Sequence, residues 1–142
     1  MISFTIIGEA ASKANSRKIV TIGGRPSSIK SEKARRFERD ALRQIPPAAR
    51  QRIACPVVVT LRMFYASERP DLDESLVLDV LQDRYGKNPL AAGKGRPLLQ
   101  AGVYQNDRQV REKHVYHAVD RLNPRVEVSV QPVQADLLGA VA

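Results

Sequence analysis

Residues 56–83 read PVVVTLRMFYASERPDLDESLVLDVLQD, and the fold is decided there. The first ten, 56–65, are almost continuously apolar and rich in β-branched and aromatic side chains. Such a run predicts a strand in the interior of a sheet. The period then changes. Leu76, Val77, Val80 and Leu81 recur at helical spacing, so a helix follows the acidic turn 70–74. Working back toward the N-terminus, Ser31 opens a second helix. Ala34, Phe37, Ala41, Leu42 and Ile45 form its apolar stripe, Lys33, Arg35, Arg36, Arg39 and Arg43 its other face, and Pro46-Pro47 its stop. Residues 2–7 alternate and predict a strand, residues 9–17 a polar loop, and residues 18–22 a strand turned by Gly23-Gly24.

Downstream, residues 86–101 are rich in Gly, Pro and Lys and read as a long loop. Val103-Tyr104 reads as a short extended piece, residues 109–119 as a strand, and residues 125–130 as a final strand at a sheet edge. The expected architecture is α/β or α+β: a mixed sheet of four to five strands with two main helices. At 142 residues the chain is expected to be a single domain, with 131–142 as a loosely attached tail.

Composition narrows the class. No run of apolar residues reaches membrane-spanning length, and MISFTIIGEA lacks the basic start of a signal peptide. A single cysteine, Cys55, excludes an internal disulfide and a cysteine-based zinc site, and it fits a reducing cytoplasm. Beside Pro56 it reads as a small buried hydrophobe. His114 and His117 lie three apart on a strand, face opposite ways, and make a poor metal pair. Aromatic residues are 5% with no Trp, which disfavours a base-stacking RNA-binding protein.

The net charge is +8, and residues 1–52 carry all of it, with twelve basic and four acidic side chains. The remaining ninety residues hold eleven of each sign. A basic segment joined to a balanced one points to a polyanion, nucleic acid above all.

Within this basic protein the acids concentrate at 68–83: Glu68, Asp71, Asp73, Glu74, Asp79 and Asp83. Asp71 and Asp73 flank one residue, and like charges that close call for a cation or good donors. Mg²⁺ suits one or two carboxylates and bridges to phosphate oxygens. The same residues fit a capping box, with Asp71 as N-cap and Glu74 three residues on, and the two readings are compatible. Asp107, in Asn106-Asp107, also reads as a turn residue.

Together these residues resemble the RusA-like Holliday junction resolvases. The resemblance rests on Arg69-Pro70-Asp71-Leu72-Asp73 before an apolar helix, and on Gly102-Val103 followed by Asp107, Gln109 and Val110. Lys13-Ala14-Asn15-Ser16-Arg17, ahead of a basic helix, is similar to the family's early S-x-N-R segment. It implies a homodimeric, Mg²⁺-dependent endodeoxyribonuclease, bacterial or phage-encoded, without an organic cofactor. Its substrate would be the four-way junction of recombination and repair, resolved by paired hydrolysis of two phosphodiesters.

On this resemblance Asp71, Asp73 and Asp107 are the catalytic and metal-holding carboxylates. Lys13, Asn15, Arg17, Lys18, Arg35, Arg36, Arg39 and Arg69 are the DNA contacts. Three positions depart from the family pattern. Asn106 replaces the first acid of an Asp-Asp pair, Glu74 replaces an Asn, and Val77 replaces a lysine. Arg69, Arg84, Lys87 and Lys113 are candidates to supply that cation. Two other readings stand beside this one. The first is a non-catalytic DNA-structure-binding protein, favoured by Val77. The second is a restriction-type nuclease, loosely matched by Pro70-Asp71 and Asp107-x-Gln109.

Overall fold

The structure, a computed structural model, describes residues 1–88 and 95–133. Their elements run β1 (Ile2–Ile7), β2 (Arg17–Ile22), β3 (Arg25–Lys30), α1 (Glu32–Gln44), β4 (Val57–Tyr65), α2 (Ser75–Val80), β5 (Arg84–Tyr85), β6 (Leu98–Gln100), β7 (Val110–Val119) and β8 (Arg125–Pro132). Short 3₁₀ turns occupy Pro47–Ala49 and Asp107–Gln109. This is a mixed α+β fold. The principal sheet has order β1-β8-β4-β7, and β2–β3 and β5–β6 form separate two-stranded ribbons.

The apolar run makes β4 an interior strand, antiparallel to β8 and parallel to β7. Val57, Val59, Leu61, Met63 and Tyr65 are at most 2% exposed, whereas Arg62 between them is open to solvent. One face of the sheet therefore carries the core, and α1 and α2 supply the facing layer. In α1, Ser31 Oγ accepts the Ala34 amide at 3.1 Å, the expected N-cap. Ala34, Phe37, Ala41 and Ile45 are buried against the sheet. Burying Phe37 alone contributes roughly 1.5–3 kcal/mol. From α2, Leu76, Val77 and Val80 join the same cluster.

Glu38 of α1 joins Lys30 at the end of β3 to Arg84 of β5, at 2.5 and 2.8 Å. These bonds hold its carboxyl below the ordinary range, although burial alone would raise it. The sheet's two edges differ. The end of β1 is covered by Gln44, whose amide group accepts from Ile7 N at 2.7 Å and donates to Ile7 O at 2.9 Å. β7 is an exposed edge, with only Val110 and Val115 half-buried.

Several expectations need correction. β8 is not an edge strand. Its alternate residues Val126, Val128 and Val130 are buried, and it is bonded on both sides, to β1 and β4. Residues 131–132 belong to β8, and Val133 N donates to Pro56 O at 2.9 Å, so the attached chain extends further than expected. Residues 134–142 of the expected tail lie outside the described residues. β3 pairs with β2 across Gly23-Gly24, although Pro26-Ser27-Ser28 has little strand propensity. Part of the 86–101 loop forms β6, which pairs with β5, and Pro89 to Lys94 lie outside the described residues. Cys55 is exposed rather than buried, because it precedes the strand. No helix among the described residues is long and apolar enough to cross a membrane.

Candidate metal and nucleic-acid site

Between β4 and α2 the chain turns through residues 66–74, and the segment following β1 lies against that turn. Lys13 N donates to Asp71 O at 2.8 Å, and Ala14 N donates to Asp71 Oδ2 at 2.8 Å. The Ala14 amide is the main reason that the Asp71 carboxyl titrates below its ordinary value, with Ser12 and Arg69 beside it. The other end of the segment is tied to the start of α1. Ser31 N donates to Ser16 O at 2.9 Å, and Ser31 Oγ donates to Asn15 O. Lys13 is thereby held beside the acidic turn, and Asn15, Arg17 and Lys18 follow it along the chain into β2, all four exposed.

The expected capping box does not form. α2 begins at Ser75 with Glu74 as its N-cap residue, and Glu74 makes no side-chain cap. Asp73 takes a local role instead, accepting from Ser75 N at 3.2 Å and Ser75 Oγ at 2.7 Å. Glu74 pairs with Lys113 of β7 at 2.6 Å. The tertiary bond to Ala14 draws Asp71 away from the helix terminus.

A third carboxylate, Glu9, completes this region and has no marker in the sequence. Its Oε2 accepts Ala66 N at 2.7 Å, and its Oε1 lies 2.8 Å from Lys33 and 3.6 Å from Arg69. Burial alone would raise the Glu9 carboxyl, but these donors outweigh it and hold it low. Beneath lies Tyr65. Burial, reinforced by Asp73, Glu9 and Asp71, pushes its phenol up to about 12.

Three buried side-chain polar atoms among the described residues lack a hydrogen-bond partner: Ser12 Oγ, Tyr65 Oη and Arg69 Nε. All three border these carboxylates. Ser12 is fully buried beside Asp71 without reaching hydrogen-bond geometry, and Tyr65 is 2% exposed. Buried polar atoms are rarely left unpaired, so their concentration in one place marks a polar site rather than packing. An open cleft of about 580 Å³ adjoins it, lined by Arg69, Leu72 and His117 among others.

Asp107 is placed by a different device. Gly102 and Val103 pack on the end of α2, with Val103 N donating to Leu81 O at 2.7 Å. Asp107 then opens a 3₁₀ turn capped by Asn106 and Gln109. Its amide donates to Gln82 Oε1 at 3.1 Å, and its carboxylate is exposed. Asp107 and Asp79 face the buried Tyr104 phenol and, with burial the larger cause, push it up. The structure thus gathers Asp71 and Asp73 with Glu9 around Tyr65, and places Asp107 with Asp79 around Tyr104. No three His, Cys, Asp or Glu side chains converge as a ready-made metal cage among the described residues.

The donors present nevertheless suit Mg²⁺. It takes one or two carboxylates and fills its remaining positions with water and phosphate oxygens. Asp71 and Asp73 keep spare lone pairs after their hydrogen bonds, since each carboxylate has about four.

Of the expected DNA contacts, Arg35, Arg36 and Arg39 line the exposed face of α1, and Arg69 lies half-buried beside Glu9. Val77 is fully buried, so its position offers no place for a cation at the site. Among the candidates to replace one, Arg84 is bound to Glu38 and Lys113 to Glu74, whereas Arg69 borders Asp71. Compared with known proteins, the chain matches no family model and no curated protein.

Proposed function

We propose that the protein is a Mg²⁺-dependent endodeoxyribonuclease that resolves four-way DNA junctions as a homodimer. The pair of bonds from the Lys13 and Ala14 amides to Asp71 carries this reading. It joins exposed cations to acidic side chains that would otherwise repel a phosphate. Asp71 and Asp73 would hold Mg²⁺, which when bound neutralises charge at the scissile phosphate and makes a water more acidic, whereas Asp107, which the resemblance assigns to the same ion, lies in the separate group beside Tyr104. Lys13, Arg17 and Lys18 bind the phosphates of the flanking strand, with Arg35, Arg36 and Arg39 further along. Arg69, steadied by Glu9, orients a phosphate oxygen beside Asp71. A two-fold dimer suits a substrate that is itself two-fold symmetric, because it presents one site to each of two opposed strands.

The deciding experiment incubates the full chain with a labelled synthetic four-way junction and Mg²⁺. Wild type should nick opposed strands, and Asp73→Asn should reduce the rate on the order of 10²-fold while retaining junction binding. Absence of nicking by wild type, or undiminished nicking by the variant, overturns the enzymatic reading. Binding should also be steeply salt-dependent. If six or more phosphates are neutralised, affinity should fall about 10³-fold or more between roughly 50 and 200 mM salt, as measured by fluorescence anisotropy.

A second reading, a DNA-structure-binding protein without catalysis, is favoured by the burial of Val77. It predicts junction binding that is indifferent to both Mg²⁺ and Asp73, with no product.

A further inference from the structure

The ribbon β2–β3 stands apart from the principal sheet and bonds to no other strand. We infer that it is a DNA-grasping arm that lies in the major groove of a B-form duplex, with Ile19 against the base edges and Lys18 and Arg25 at the phosphates. This rests on the nucleic-acid part of the function proposed above, and adds a surface and a groove to it.

Charge is the first support. Residues 17–30 hold Arg17, Lys18, Arg25 and Lys30 and no acid. Lys30, at the foot, is neutralised by Glu38 and Asp79, whereas Arg17, Lys18 and Arg25 enter no ion pair among the described residues. Arg17 and Lys18 near the foot and Arg25 at the tip therefore keep their positive charge for a polyanion.

Exposure is the second. Ile19 is 77% and Ile22 57% exposed, on an element with no core of its own. A lone two-stranded ribbon is marginally stable in water. Among the described residues it is pinned at its foot by the Ser31–Ser16 bond and by Lys30, while Arg17 ties its two strands together, donating to Ser28 Oγ and O at 3.0 and 2.9 Å. At the tip, Gly23 and Gly24 both have left-handed φ, +59° and +78°. A two-residue turn of that kind keeps the tip narrow.

The two faces also differ. On one face Val20, Ser27 and Ile29 are half-buried while Lys18, Ile22 and Arg25 are exposed; on the other, Arg17, Ile19, Thr21, Pro26 and Ser28 are exposed and only Lys30, at the foot, is half-buried. The exposed face is the one presented to the groove floor, where an isoleucine can contact a thymine methyl. Lys18 and Arg25, on the inner face, have stems long enough to reach sideways to the groove walls.

Dimensions choose the nucleic acid. The B-DNA major groove admits a two-stranded ribbon, and the deep, narrow A-form major groove of RNA does not. The foot of the ribbon continues into the 12–16 segment bound to Asp71. A duplex held by the arm is thereby brought beside the acidic turn.

The test uses the full chain with a fluorescent B-form DNA duplex, the same sequence as an RNA duplex, and a four-way junction. Lys18→Ala/Arg25→Ala should weaken DNA binding at least tenfold and lower the slope of log affinity against log salt by about 2. Ile19→Ser should weaken it about fivefold with the slope unchanged. Wild type, but not the double variant, should protect guanine N7 in the major groove from methylation. These residues are exposed, so circular dichroism and melting should match wild type.

If wild type binds DNA and the double variant binds equally well, or N7 stays reactive, the arm is refuted and the nuclease reading stands. Equal binding of the RNA duplex also refutes the groove assignment. Wild type that binds no DNA refutes both readings.

Discussion

Gly102→Ala should cost about 4 kcal/mol or more, enough to unfold much of the population of an ordinary small domain. A Cβ at this position would lie 2.3 Å from Gln82 C, 2.5 Å from Asp83 N and 2.6 Å from Leu81 O. All three are backbone atoms just after α2, so no side chain can swing aside. Gly102 is also bonded on both sides. Its amide donates to Asp83 Oδ1 at 2.8 Å, and its carbonyl accepts Arg52 N at 3.0 Å. Relieving the clash means lifting residues 101–104 from α2 and breaking both bonds. Urea unfolding checks this. A midpoint within error of wild type would show that the segment can separate without loss.

Asp83→Ala should destabilise the protein by about 3 kcal/mol, the lower end for a broken buried ion pair because Arg52 keeps partial access to water. The Asp83 side chain is fully buried, and Arg52 Nε and Nη2 reach it at 3.0 and 2.9 Å. Burial alone would raise its carboxyl. The Arg52 guanidinium and the Gly102 amide outweigh burial and hold it below its ordinary value of 3.8. A carboxyl lowered by folding binds fewer protons in the folded than in the unfolded chain. Its stabilisation is therefore complete above the unfolded value and is lost as pH falls through the folded one. Melting temperature followed from about pH 7 to pH 2 should drop more steeply for wild type than for Asp83→Asn. Parallel curves would assign the acid sensitivity to the other lowered carboxyls, Glu9, Glu38, Asp71 and Asp120. The pair has a second duty. Arg52 is the one non-glycine residue with positive φ, +49°, among the described residues, and its bonds to Gly102 and Asp83 hold that strained backbone in place.

Elements whose pattern is dictated by their own residues were legible in the sequence. β4 announces itself by an unbroken apolar run, and α1 by a stripe, a serine cap and a double proline. Elements created by a partner were not. β3 is a strand because β2 lies beside it across two glycines. β8 looked like an edge because alternation reports one solvated face, and an interior strand of a one-sided sheet alternates in the same way.

The acidic turn shows the same division. Sequence marked Asp71 and Asp73, and offered Asp71 both as a helix cap and as a metal ligand; the cap does not form. The amide that claims Asp71 comes from Ala14, 57 residues earlier, and no local rule reaches that far. Glu9, Ser12 and Tyr65 carried no signal at all, since each acquires its role only when β1, β4 and the turn meet. Gly102 illustrates the reverse. It entered through a resemblance to nuclease motifs, and geometry gives it a structural reason, the close approach of two backbones.

The pairing of β1 with β8 sets Ile2 opposite Val130 and Ile7 opposite Arg125. During synthesis on the ribosome, β8 is the latest of the four sheet strands to emerge, yet it fills the gap between β1 and β4. Until then β1 has no strand neighbour and β4 has at most β7. The nascent chain must therefore carry its most apolar strand with one side unpaired, and closure waits on contacts spanning more than a hundred residues. Such a topology belongs to the slow range of spontaneous folding, milliseconds to seconds, and gives chaperones a defined client, the open β8-facing edge of β4.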